Sequence, residues 1–148
     1  MCKKKEGEDK LTTLLKNGTV IDYGSKCQEL LDIFITDDKV TKIEKNIQLN
    51  ADKIIDCTGL FIIPGMIDMH CHLREPGFEQ KETIETGTKS AIKGGFTTIC
   101  PMPNTKPTTD SAFILEQVIS KAKNLKTCNV LPYCAVTVRR KRGRVNQF

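Results

Sequence analysis

Tryptophan is absent from the 148 residues, and histidine and tyrosine occur only twice each. So few rings rule out a basic surface interleaved with stacking aromatics, and the net charge of +5 does not by itself point to nucleic acid. Much of that charge sits in Lys3 to Lys5 and in RRKRGR, Arg139 to Arg144, and what lies between is close to neutral. Apolar runs long enough to cross a bilayer are missing. The start, MCKKKEGEDK, lacks the apolar stretch that follows the basic residues of a signal peptide. A cytoplasmic protein with neither a membrane nor a nucleic-acid partner is expected. The seven cysteines (Cys2, Cys27, Cys57, Cys71, Cys100, Cys128, Cys134) are odd in number and contain no CxxC, which suits neither a disulfide framework nor a cysteine zinc site. They are expected as buried, reduced thiols. Internal repeats and low-complexity segments are also lacking. With 39% hydrophobic and 28% charged residues, what remains is the composition of a globular protein with a core.

The first part of the chain reads as short strands. TTLLKNGTVID carries apolar and β-branched residues on either side of an Asn17-Gly18 turn signal, and DIFITDDKVTKIEK places Asp37-Asp38 between two alternating stretches. KIIDCTG adds a strand before Gly59, which gives a meander of antiparallel strands over residues 1–59. From Leu60 the rhythm changes. FIIPGMIDMHCHL is read as a buried strand, KETIETGTKSAIKGG as a helix with Ile84, Thr88, Ala91 and Ile92 on one face, and FTTICPM as a second buried strand. Asp110 is the expected N-cap of a helix SAFILEQVISKAKNL, and NVLPYCAVTV the third strand. Strand, helix, strand, helix, strand predicts a parallel sheet and the α/β class for residues 60–138.

The chemistry is concentrated in PGMIDMHCHLREPG, Pro64 to Gly77, which holds both histidines. On a regular strand Asp68, His70, His72 and Arg74 share one face, while Met69, Cys71 and Leu73 share the other and pack on the helices. Two imidazoles on one face can chelate one cation, and imidazole suits zinc. HxH is a weak pattern in isolation. It gains weight at the end of a buried parallel strand, where α/β folds place their sites. Arg74 reads either as a surface ion pair with Glu75 or Glu79 or as a fork for a substrate carboxylate. Asn104 reads either as a turn residue in MPNT or as a group at the corresponding end of the next strand. Glu75 and Asp110 are read as a solvated carboxylate and a cap, neither of them catalytic.

HCHLREPG (His70–Gly77), GGFTTICPMPNTKPTTD (Gly94–Asp110) and FIIPGMID (Phe61–Asp68) resemble the dihydroorotase family of the amidohydrolase superfamily, in its bacterial zinc type. The resemblance runs from about Leu14 to Val138, and the arginine of HLR and the asparagine of MPNT are what set it apart from allantoinase and hydantoinase. It implies the N-terminal part of a (β/α)₈ TIM barrel, preceded by strands of a small β-sandwich. It also implies His70 and His72 as zinc ligands, and Arg74 and Asn104 as holders of the substrate carboxylate. The implied reaction is the reversible, zinc-dependent hydrolysis of dihydroorotate to N-carbamoyl-L-aspartate in pyrimidine biosynthesis.

Such a barrel takes about 250 residues, so it is expected to be incomplete here. The further ligands and the catalytic base belong to later strands, and no catalytic residue is assigned; the chain by itself is expected to be inactive. Residues 139–148 depart from the glutamate-rich continuation of such chains, and a shifted reading frame is the expected origin of an aberrant basic tail. The alternatives are another cyclic amidase of hydantoinase or allantoinase type, or a non-catalytic interaction protein. The partners expected are a small-molecule substrate together with a second copy of the chain or a carbamoyltransferase.

Overall fold

The computed structural model describes residues 10–137. The basic segments Lys3–Lys5 and Arg139–Arg144, and with them the expected aberrant tail, lie outside the described residues. The chain divides into two units between Pro64 and Gly65.

The first unit is a sheet in the order β3-β2-β1-β4, with β5 also paired to β1. Its strands are β1 (Thr12–Asp22), β2 (Cys27–Thr36), β3 (Lys39–Glu44), β4 (Lys53–Asp56) and β5 (Phe61–Ile62). β1, β2 and β3 form antiparallel pairs, and Asp37-Asp38 makes the predicted turn, with Asp37 at φ 56°. Two expectations fail. Asn17-Gly18 does not reverse the chain: Asn17 at φ 61° sits in a bulge where the register shifts between Leu15 and Gly18, and β1 runs straight through. Nor is the unit an antiparallel meander, because β4 and β5 both lie parallel to β1. The bulge has a built partner. Buried Asp32 accepts the Asn17 amide on Oδ1 (2.8 Å) and the Ile47 amide on Oδ2 (2.9 Å), satisfying backbone donors that the ladder leaves over. Leu14, Phe34 and Ile47 form the core of this unit.

The second unit is a parallel sheet in the order β6-β7-β8, from β6 (Met66–Cys71), β7 (Phe96–Pro101) and β8 (Asn129–Val130). The helices α1 (Ile84–Lys93) and α2 (Ala112–Leu125) lie between the strands in sequence. The strand expected from Leu60 is split at Pro64. Phe61 and Ile62 pair with Thr19 and Val20, and β6 begins at Met66. This puts residues 60–64 with the first unit rather than with the parallel sheet. The third strand is shorter than expected, a two-residue ladder, although Leu131 and Tyr133 continue it by donating to the Ile99 and Pro101 carbonyls at 2.9 Å.

Helix α1 starts at a capping box in which Thr83 and Thr86 exchange side-chain and backbone bonds, and Gly94-Gly95 closes it, Gly95 at φ 84°. Ile84 and Thr88 are fully buried on its inner face, whereas Ile92, expected with them, is exposed. The N-cap of α2 is Ser111, whose hydroxyl accepts from the Ile114 amide, and not Asp110, which lies one residue too early. Leu73, Ile84, Ile99, Val118, Ala122 and Val130 form one core between the helices and one face of the sheet. Burying apolar area of this kind contributes roughly 25 cal/mol per Å². The opposite face is open: Ile67 is 61% and Met69 68% exposed, so β6 is not the doubly buried strand that its composition suggested. Among the described residues the sheet has three strands and is not a closed barrel. No described helix is long and apolar enough to cross a membrane.

Candidate metal and carboxylate site

β6 carries His70 near its end and delivers His72 one residue beyond it. The two rings lie edge to face with centroids 5.4 Å apart. His70 is exposed and His72 half-buried. The strand reaches this point through a bulge. Asp68 is opposite Ile99 and Cys71 opposite Pro101, so β6 carries one residue more than β7 over this stretch, and the Asp68 carboxylate accepts the His70 amide at 2.9 Å. The bulge breaks the expected alternation. Asp68 is level with Ile99 and Ile99 belongs to the helical core, so Asp68 is on the helix side, bordering a cleft of about 390 Å³ against Gly87, Ser90 and Ala91 of α1, and not in one row with His70. Cys71 and Leu73 do pack on the helical core, but Met69 does not.

After Cys71 the chain turns, and Arg74 stands at φ 63°, a left-handed conformation that costs a side-chain-bearing residue of order 1 kcal/mol. The Phe78 amide donates to its carbonyl at 3.1 Å and fixes the turn. Neither carboxylate considered for an ion pair takes the guanidinium. Glu75 binds the Ile84 amide through Oε2 (2.8 Å) and the Lys121 ammonium through Oε1, and Glu79 accepts the Gly77 amide at 2.7 Å. Among the described residues no carboxylate lies within ion-pair distance of Arg74. Glu75, read from sequence as solvated, is instead a bolt. One half-buried carboxylate joins the loop after β6, the first turn of α1 and the third turn of α2. Its sequence signal was weak, an acidic residue before Pro-Gly with no indication of its partners.

Asn104 arrives from the neighbouring strand. The Met102 amide donates to the Cys71 carbonyl at 2.9 Å, tying the end of β7 to the end of β6, and four residues further on the Lys106 amide donates to the Pro76 carbonyl, also at 2.9 Å. Between these ties Asn104 is half-buried, and its side-chain Oδ1 lies 2.9 Å from His72 Nδ1. The loop behind it is braced by the Thr105 hydroxyl, which donates to the Pro107 carbonyl at 2.7 Å and meets the Thr109 hydroxyl at 3.1 Å.

Two imidazoles are the nitrogen donors that zinc takes, and they fit two positions of such a centre. Among the described residues no group of three or more His, Cys, Asp or Glu side chains could complete one. Cys71, between the two histidines, is not a third donor. It packs against the helical core, and burial pushes its thiol up to about 11, assisted by the nearby Asp68 charge and by Cys100 and Cys128. The described cysteines are free thiols, but only Cys57 is fully buried; the others are half-exposed, contrary to expectation.

A parallel sheet with helical crossovers that presents HxH at the end of its first strand is the opening of an amidohydrolase barrel. The fold matches the L-hydantoinase (dihydropyrimidinase) from Arthrobacter aurescens with a TM-score of 0.77 at 27% identity, over 84% of this chain and 28% of that one. The D-hydantoinase (dihydropyrimidinase) from a Thermus species matches with a TM-score of 0.68 at 30% identity, over 88% of this chain and 29% of that one. The model of the dihydro-orotase-like family matches residues 59–148, and the chain belongs to that family. Among its curated relatives, the dihydroorotase of Bacillus cytotoxicus is 50% identical over 135 residues, 91% of this chain and 31% of the relative. That of Solibacter usitatus is 44% identical over 124 residues, 84% of this chain and 29% of the relative. The chain thus spans about three tenths of the length of these relatives.

Proposed function

We propose that this chain carries the first two zinc ligands, His70 and His72, and the carboxylate clamp, Arg74 and Asn104, of a dihydroorotase. The observation that carries this reading is the guanidinium of Arg74. Its backbone stands in a left-handed turn two residues after His72, and it is left without a carboxylate partner among the described residues. An arginine in this position suits a planar, singly charged carboxylate, which it can grip through two parallel hydrogen bonds. The half-buried Asn104, from the loop after the adjacent strand β7, would supply the second polar group of the clamp.

The reaction proposed is the reversible hydrolysis of dihydroorotate to N-carbamoyl-L-aspartate, in a cytoplasmic route to pyrimidines. The oxygen of water bonds to the ring amide carbonyl carbon, the carbon–nitrogen bond breaks, and the nitrogen takes up a proton. Zinc, when bound, supplies Lewis acidity and lowers the pKa of a coordinated water to about 7. The part of this chain is to hold two of the metal's ligands in place and to orient the substrate by its carboxylate, so that the scissile carbonyl meets the metal site. No group in the described residues is assigned as the general base. The chain alone is therefore proposed to bind without turning over.

The likeness to hydantoinase structures favours a second reading, a cyclic amidase acting on uncharged rings. The two readings part at the clamp. Dihydroorotate carries a carboxylate and hydantoin does not. In the full chain, dihydroorotate should shift the Arg74 Nε and Asn104 side-chain amide resonances together, and hydantoin should leave them in place. Equal response to both ligands, or response to neither, would overturn the dihydroorotase reading.

A further inference from the structure

We infer that Asn104 is a positioning residue for His72: its Oδ1 fixes the imidazole in the tautomer that carries hydrogen on Nδ1 and leaves Nε2 bare for a metal. The inference rests on the proposed metal site and deepens it.

An amide oxygen only accepts, so the ring nitrogen that faces Asn104 Oδ1 at 2.9 Å must donate. A neutral imidazole has one N–H, and placing it on Nδ1 forces the lone pair onto Nε2. A free imidazole side chain does not hold this choice for itself; something must select it, and metal-binding histidines are generally held by an acceptor on the far nitrogen. Here the acceptor is an uncharged amide rather than a carboxylate or a backbone carbonyl.

Its position is well determined. Asn104 lies between two inter-loop backbone bonds, from the Met102 amide to the Cys71 carbonyl and from the Lys106 amide to the Pro76 carbonyl, both 2.9 Å. It therefore cannot drift without parting the ends of β6 and β7. Among the described residues His70 has no such partner. Its backbone amide is held by Asp68, but no described side chain hydrogen-bonds its ring nitrogens. The two histidines should accordingly differ, His72 fixed and His70 free to choose.

The same geometry gives the amide a second task. With Oδ1 turned to His72, no described acceptor takes the Asn104 NH₂ hydrogens, and these are the donors proposed for the substrate carboxylate. One side chain then couples orientation of a ligand to recognition of the substrate. Aspartate could perform the first task but not the second, and a leucine neither.

The test is the tautomeric state of each ring in the full chain without metal, read from two-bond ¹H–¹⁵N correlation spectra at mildly alkaline pH. For wild type we expect His72 as the Nδ1–H tautomer and His70 as a mixture. Asn104→Asp should retain the His72 pattern and Asn104→Leu should release it to a mixture like that of His70, with the backbone amide spectrum away from the site unchanged in both. Nε2–H on His72 in wild type would overturn the inference, as would an unaltered His72 pattern in Asn104→Leu. A zinc titration of the same three proteins supplies the second readout. Removing an outer-shell partner weakens metal binding by about 10–100-fold, so Asn104→Leu should bind more weakly than wild type and Asn104→Asp should recover the loss. If wild type takes up no zinc while His72 shows the fixed tautomer, the metal reading fails and the positioning inference stands.

Discussion

Gly77 lies so close to Lys106 that a Cβ built on it would stand 1.9 Å from the Lys106 carbonyl oxygen. The two residues belong to the loops that carry Arg74 and Asn104, and the Lys106 amide binds the Pro76 carbonyl beside this contact. Gly77 also sits at φ 93°, outside the range that side-chain-bearing residues adopt easily. Backbone cannot yield as a flexible side chain can. Gly77→Ala is expected to destabilise the chain by more than ~2 kcal/mol in urea unfolding and to displace the Asn104 and His72 signals together. A change below half of that would mean that the loops are not in contact.

Glu75 and Lys121 give an asymmetric prediction. The carboxylate is 11% exposed and serves the Ile84 amide as well as Lys121, whereas the lysine is 52% exposed and, among the described residues, is hydrogen-bonded to Glu75 alone. Removing the acceptor strands a backbone donor at the start of α1, at a cost of about 1–3 kcal/mol. Removing the lysine forfeits an exposed ion pair that contributes about 0–1 kcal/mol. Glu75→Ala should therefore lower the unfolding midpoint clearly more than Lys121→Ala, and Glu75→Gln, which keeps an acceptor for Ile84, should fall between them.

Arg74 should show opposed effects on stability and binding. Its left-handed backbone favours glycine, so Arg74→Gly is expected to leave stability unchanged or raise it by up to ~1 kcal/mol while abolishing the response to dihydroorotate. Arg74→Lys keeps the charge and the backbone strain but loses the paired hydrogen bonds, and should bind at least ~10-fold more weakly, the equivalent of about 1.4 kcal/mol. A stable, fully binding Arg74→Gly protein would remove the clamp from the account.

The Cys71 thiol, held near 11 mainly by burial and next by the Asp68 charge, should resist alkylation at pH 8 and gain reactivity only as the pH approaches 11. The linkage has a definite sign. A thiol whose folded pKa lies above its unfolded value of about 8.5 binds its proton more tightly when folded. Its contribution to stability is complete below about pH 8.5 and is lost as the pH rises towards 11. Cys71→Ser should flatten the alkaline loss of stability; an unchanged alkaline profile would place the thiol in solvent.

What could be read from the sequence follows from how local each cause is. The Asp37-Asp38 turn, the Gly94-Gly95 stop and the apolar face of α1 at Ile84 and Thr88 depend on neighbours in the chain, and they were legible. Asn17-Gly18 was not, because the dipeptide that closes a hairpin also fits a bulge, and the choice was made by Asp32 on another strand. The row Asp68, His70, His72 was misread for the same reason. Strict alternation assumes a regular strand, and the extra residue between Asp68 and Cys71 shows only in the pairing with β7. His70, His72, Arg74 and Asn104 could be named from residue type and motif, but the contact between Asn104 and His72 could not. It depends on where two loops end up, 32 positions apart in sequence. The role of Glu75 was missed because both its partners come from later helices.

The central claim is that His70 and His72 bind one divalent metal together. It is tested most directly by titrating zinc into the full chain while following the ring resonances of both histidines. The account predicts that the two sets move together and saturate at one equivalent, and that either His70→Ala or His72→Ala abolishes the response of the remaining ring. Rings that do not respond to zinc, or that respond independently of each other, would contradict it.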